Sequence, residues 1–237
     1  MHDDNCFITL TYDDDHLPWD KSLNKKHFQD FMKRLRFKER HKKLRYFHCG
    51  EYGDQLKRPH YHALIFGHDF EDKTLWTERD GIPTWTSEQL QNLWPFGFTT
   101  VGRLTFETAA YCARYTTKKR TGKEAQEHYW TMLDTDMEIE IQPEYATMSL
   151  KPAIGNTWFS EYKDDCFPSD FITQDGKKFR VPKYYDTLID ENELKMYKEN
   201  RKRKAWERNE ENTGKRLRQR EICANARLET LTRLYET

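Results

Sequence analysis

The 237-residue chain predicts an α+β fold, a central and mainly antiparallel sheet with helices packed against it. Two observations carry this. Short runs rich in β-branched and aromatic residues are interspersed with longer runs whose apolar residues recur every three to four positions. These elements follow the order strand, helix, hairpin, strand, helix.

CFITLTY (residues 6–12) reads as the first strand, closed by the acidic turn DDDHLP. From Ser22 to about His41 the period changes, with Phe28, Phe31, Met32 and Leu35 at helical spacing and Lys and Arg between them. LRYFHCGEYG (44–53) is a second strand ending at a glycine turn. After the QLKRP loop, HYHALIFG (60–67) is a third, pairing with the second as a hairpin. Residues 68–97, with Trp76, Trp85 and Trp94, are expected to be an insertion or a long connection. FGFTTVGRLT (96–105) is another strand. Residues 105–122 form the next helix, with Thr105 as N-cap, basic residues in the last turn and Gly122 as the stop. From 123 to about 185 the pattern is mixed, and Pro143, Pro152, Pro168 and Pro182 forbid a long helix. After Tyr185 the composition turns to Lys, Arg and Glu, which predicts a charged helical C-terminal tail over 186–237 behind a domain of 1–185.

Forty basic and forty acidic residues leave no net charge, so the balance alone does not point to nucleic acid. An aromatic content of 14% excludes a disordered chain. The five cysteines are odd in number and form no CxxC, so they read as free thiols of a reducing compartment, not a disulfide frame or zinc knuckle. The N-terminus lacks the basic and apolar segments of a signal peptide, and no apolar run nears the roughly 20 residues that span a bilayer. A cytoplasmic protein with no membrane partner is expected.

Chemistry enters at RPHYHALIF (58–66). In a strand, His60 and His62 share one face with Leu64 and Phe66, while Tyr61, Ala63 and Ile65 take the other. Two imidazoles side by side are either satisfied packing residues or one edge of a metal site. Glu51, at the end of the neighbouring strand, would be the third ligand, with Asp54 a less favoured substitute. Two nitrogens and a carboxylate with open positions suit an ion that polarises a substrate oxygen.

The second candidate is YCARYTTKK (111–119). On a helix Tyr111, Tyr115 and Lys118 stack on one face. Such a stripe is either a half-buried face with hydroxyls at its rim or a pair of nucleophiles, with Lys118 supporting a phenolate or phosphate oxygen. A free phenol has a pKa of about 10 and needs a metal or cation to attack at neutral pH. Together, a metal site and a tyrosine helix are the parts needed to cleave a phosphodiester by attack of the phenol oxygen.

FITLTY, GEYGDQLKRPHYHALIFG and YCARYTTKK resemble, in order and spacing, the three motifs of HUH endonucleases. They look most like the two-tyrosine replication initiators of microviruses of the gokushovirus branch. SLKPAIGNTWF (149–159) is similar to a further segment of that family, and the likeness covers roughly residues 5–185. It implies an HUH core with His60 and His62 as ligands of Mg or Mn and Tyr111 or Tyr115 as nucleophile. It also implies nicking and rejoining of single-stranded origin DNA during rolling-circle replication, with host helicase and polymerase as further partners. Lys57, Arg58, Arg114 and Lys119 beside the motifs are expected to contact DNA. Family members usually carry more chain before the first strand, whose loss is expected to remove a packing helix or DNA contacts but no active residue.

The acidic run 13–15 reads as a solvated turn or a metal site. FMKRLRFKERHKK (31–43), RKRK (201–204) and KRLRQR (215–220) read as solvated helix faces or as salt-sensitive phosphate contacts. Rival functions are a two-tyrosine transposase or relaxase, a metal-dependent hydrolase without covalent intermediate, and a noncatalytic nucleic-acid-binding domain.

Overall fold

A computed structural model describes residues 2–53, 56–118, 125, 128–132 and 137–230, without the side chains of 115–118, 131–132 and 228–229. The chain divides into two compact units, Met1–Ile154 and Gly155–Thr237. Residue 186, where the composition shifts, lies inside the second.

The first unit is built on a seven-stranded sheet. Its strands are β1 (Asn5–Thr11), β2 (Arg45–Tyr52), β3 (Pro59–Phe66), β4 (Thr74–Arg79), β5 (Ile82–Thr86), β6 (Thr99–Arg103) and β9 (Tyr145–Met148). They lie in the order β4-β5-β6-β1-β3-β2-β9, and every pairing is antiparallel. The helices are α1 (Lys25–Lys38), α2 (Glu88–Leu93) and α3 (Phe106–Lys118), and β7 (Trp130–Met132) pairs with β8 (Glu138–Glu140) outside the main sheet. The α+β fold with a mainly antiparallel sheet is thus the observed one.

The period-2 alternation of the strands separates two faces. Cys6, Ile8 and Leu10 of β1 lie in register with Ile65, Ala63 and Tyr61 of β3. This face is buried beneath Phe28, Phe31, Met32 and Leu35 of α1, with Leu90 and Leu93 of α2 joining the same cluster. Removing each such side chain from water is worth about 1.5–3 kcal/mol, which makes this layer the main core. Asn24 caps α1 by accepting from the Lys26 backbone N–H. The opposite face carries Phe7, Thr9, His60, His62, Glu51 and Cys49, and α3 packs across β2, β3 and β9 on it. Thr105 does cap α3, its Oγ1 accepting from the Thr108 N–H at 3.3 Å.

The region read as an insertion, 68–97, supplies β4, β5 and α2 and so extends the sheet on one side. Asp80 and Gly81 turn the hairpin with φ of 51° and 74°, the left-handed pair that an Asp-Gly two-residue loop favours. No described helix is long and apolar enough to cross a membrane.

The second unit contains α4 (Asn156–Cys166), the hairpin β10 (Phe171–Gln174) and β11 (Lys177–Arg180), α5 (Glu191–Glu207) and α6 (Gly214–Glu229). Phe159, Cys166, Phe167, Val181, Tyr185 and Tyr197 form its small core. Arg201 pairs with Asp170 at 2.6 Å and Asp186 at 2.7 Å. The charged segment after Tyr185 is helical as expected, and its first helix contributes Tyr197 to that core.

Candidate metal centre

Strand register brings the ligand candidates together. Glu51 of β2 stands opposite His60 of β3, and Cys49 opposite His62. Residues two apart on one strand share a face, so Glu51, His60 and His62 converge on the α3 side of the sheet. Glu51 Oε1 lies 2.9 Å from Nε2 of both histidines. All three groups are buried, and their ligand atoms lie within 4.8 Å of one another. Among the described residues they form the group of His, Cys, Asp and Glu side chains that could hold a metal ion.

Hydrogen bonding behind the rings fixes their orientation. His60 Nδ1 lies 3.1 Å from the Arg58 carbonyl, which can only accept, so this nitrogen carries the hydrogen. In neutral His60 the Nε2 lone pair then points at the Glu51 carboxylate, acceptor to acceptor. Such a contact holds together only around an added proton or a cation. His62 Nδ1 meets Thr9 Oγ1 at 3.0 Å, which likewise turns Nε2 towards Glu51. Burial pushes the Glu51 carboxyl up, but its contacts with His60 and His62 outweigh this and hold it at about 2. The site is therefore an ionised carboxylate and two imidazoles, a donor set that fits a divalent ion.

The tyrosine helix lies over this cluster. The Tyr111 ring is 5.1 Å from the His62 ring, edge to face, and 6.3 Å from Phe7. Tyr111 is itself buried at 2% exposure. Next to it, Cys112 is fully buried, and burial together with the Cys112 thiol pushes the Cys49 thiol up. Cys49, Cys112 and the remaining cysteines Cys6, Cys166 and Cys223 are all free.

This arrangement coincides with a likeness to known proteins. Residues 5–120, which carry the cluster and the start of the tyrosine stripe, match the family model of the replication-associated protein of ORF2 type. The matched segment belongs to the replication-associated protein family. Beyond it, the chain is 35% identical over 208 residues to replication-associated protein VP4 of Bdellovibrio phage phiMH2K, covering 84% of this chain and 62% of that protein. It is 35% identical over 219 residues to replication-associated protein ORF2 of Spiroplasma virus 4, covering 85% and 64%. It is also 30% identical over 198 residues to replication-associated protein ORF4 of Chlamydia phage 1, covering 79% and 46%. The chain thus spans less than two thirds of the length of these relatives. No solved structure matches it.

Within the replication-associated segment the other expected site residues fall in varied settings. The side chains of Tyr115 and Lys118, and Asp54 and Lys119 entirely, lie outside the described residues. The Arg114 guanidinium lies over the Tyr111 ring at 5.5 Å. Arg58 bonds the Tyr12 carbonyl at 3.1 Å and Asp14 at 2.7 Å, and Lys57 is exposed with a φ of 52°. Asp13 is engaged by His16 at 2.7 Å. Sequence reasoning missed Thr9. Its signal was present in FITLTY, where Phe7, Thr9 and Thr11 alternate on the face that the paired strand fills with histidines.

Proposed function

We propose that the chain initiates phage DNA replication by nicking and rejoining single-stranded origin DNA through a 5′-phosphotyrosine. The observation that carries this is the buried Glu51–His60–His62 cluster with the Tyr111 ring beside it, all within the replication-associated segment. Glu51, His60 and His62 would hold Mg or Mn, and the bound ion would withdraw charge from the scissile phosphate. Two imidazoles in the donor set favour Mn²⁺ over Mg²⁺, which prefers oxygen ligands.

The phenol oxygen of Tyr111 or Tyr115 attacks phosphorus and loses its proton. The bond from phosphorus to the 3′ oxygen breaks, and that oxygen takes up a proton as a free 3′-hydroxyl. The 5′ phosphate stays on the tyrosine, so the bond energy is conserved and the 3′-hydroxyl can later reverse the step. Tyr111 is buried in the free chain, so its attack requires the incoming strand to displace part of the cover over His62. Tyr115, one helical turn on, is the second nucleophile, and Lys118 supports the phosphate or leaving oxygen. Lys57, Arg58, Arg114 and Lys119 contact the strand, Arg58 by exchanging Asp14 for a phosphate. The reaction takes place in the host cytoplasm, where helicase and polymerase extend the 3′ end.

Incubation with labelled single-stranded origin DNA and Mn²⁺, followed by a denaturing gel, tests this. A covalent protein–DNA band is expected, absent with EDTA and absent in the Tyr111→Phe/Tyr115→Phe double variant. Cleavage without a band would instead support a metal-dependent hydrolase, and no cleavage a binding domain.

A further inference from the structure

Phe98, just before β6, has a side chain 70% exposed to solvent. Its direction follows from the parity of the strand. Thr99 is buried, with its Oγ1 bonded to Gln91 of α2, so Phe98 and Thr100 face the other side of the sheet, that of His60 and His62. The Thr11 N–H donates to the Phe98 carbonyl at 2.9 Å, and Thr11 Oγ1 donates to the same oxygen at 3.2 Å. Thr11 pairs with His60, and His60 with Glu51. Phe98, Thr11, His60 and Glu51 therefore form one row across four neighbouring chain segments. At about 4.8 Å per step, the root of the Phe98 side chain stands about 10 Å from that of His60.

The backbone behind this ring is held from several sides. Gly97 adopts a φ of +148°, and a Cβ there would meet Asp13 N at 2.2 Å, so only glycine permits the close approach. Gln91 Nε2 donates to the Gly97 carbonyl at 2.6 Å, Trp94 Nε1 to the Thr11 carbonyl at 2.8 Å, and Asp13 N to the Phe96 carbonyl at 2.9 Å. A ring fixed in water by a rigid backbone loses little freedom when something stacks on it.

We propose that Phe98 is a stacking platform for one base of a DNA single strand whose phosphate occupies the metal centre, one or two nucleotides from that phosphate. The identity of the phosphate rests on the nuclease function proposed above. The neighbours of Phe98 on this face are the hydroxyl side chains Thr11 and Thr100, so the surface offers a single ring among polar groups. A base needs one aromatic face and is satisfied by that, whereas an apolar protein segment needs a contiguous patch. Stacking uses a π-face that every base has, so Phe98 contributes affinity and placement without sequence preference.

The test is fluorescence anisotropy of labelled oligo(dT) with the full chain in EDTA, where no cleavage intervenes. Phe98→Ala is expected to weaken binding about 5- to 100-fold and Phe98→Trp to retain it. The thermal midpoint of both variants should match wild type, since the ring is exposed. In Mn²⁺, photocrosslinking of 5-iododeoxyuridine placed one or two nucleotides from the cleaved phosphate should label the peptide containing Phe98. Equal affinity of wild type and Phe98→Ala, an equal loss in Phe98→Trp, or no affinity for oligo(dT) in wild type would overturn the proposal. Loss of binding in Phe98→Ala without any covalent adduct in wild type would leave the stacking platform standing and remove the nicking chemistry. An adduct with unchanged binding in Phe98→Ala would do the reverse.

Discussion

Thr9 sets the direction of His62. Its hydroxyl, 3.0 Å from Nδ1, is the group behind that ring, as the Arg58 carbonyl is behind His60. Thr9→Val keeps the shape and removes the hydroxyl, so Mn²⁺ affinity should fall about 10- to 100-fold with the far-ultraviolet circular dichroism unchanged. His48 illustrates the opposite kind of histidine. It stacks on Phe28 with ring centroids 3.5 Å apart and bonds Thr147 at 2.7 Å on the core side of the sheet. Burial holds it down at about 3 in the folded chain, against about 6.5 when unfolded. Between those values the unfolded state carries the extra proton, so stability falls as pH falls. Denaturant titrations at pH 6.5 and 5 should show wild type losing up to about 1.4 kcal/mol per pH unit more than His48→Phe. An equal slope in the two proteins would place the proton elsewhere. The sequence alone did not separate these histidines, because only strand parity and the neighbour across the ladder decide which imidazole meets a carboxylate and which a phenyl ring.

Among the elements, the hairpin β2–β3 was legible from its alternating residues and its glycine turn, and with it the approach of Glu51 to His60. The helices α1 and α3 were legible from their apolar spacing. What escaped was β4, β5 and α2, hidden because the tryptophans of 68–97 suggested a loop while the Asp80-Gly81 pair, the hairpin signal, went unweighed. Asp175 and Gly176, with φ of 49° and 73°, mark the β10–β11 turn in the same way. The segment Pro95–Phe98 is the element most dependent on one residue. Gly97→Ala would set a Cβ against Asp13 N, Tyr12 C and Thr11 O at 2.2, 2.5 and 2.6 Å. Backbone cannot yield as a flexible side chain can, so urea titration should show a loss of more than about 2 kcal/mol.

At the scale of the whole molecule, a zero net charge gives no electrostatic signature of DNA binding. Function is concentrated in the first unit, where a sheet buried on one side beneath α1 presents its other side to α3. The second unit has its own small core and a cationic, largely exposed pair of helices. The sequence placed a boundary by composition, near 186, whereas the compact units divide between Ile154 and Gly155. Tyr197 shows why these differ, since a segment of charged residues can still anchor itself in a core through one aromatic side chain. The account depends on a cation seated among Glu51, His60 and His62, and electron paramagnetic resonance of added Mn²⁺ measures that directly. Wild type should immobilise one Mn²⁺ per chain, displaceable by excess Mg²⁺, while His62→Ala and Glu51→Ala, folded by circular dichroism, should leave the ion free. Binding that persists in both variants, or none in wild type, would contradict it.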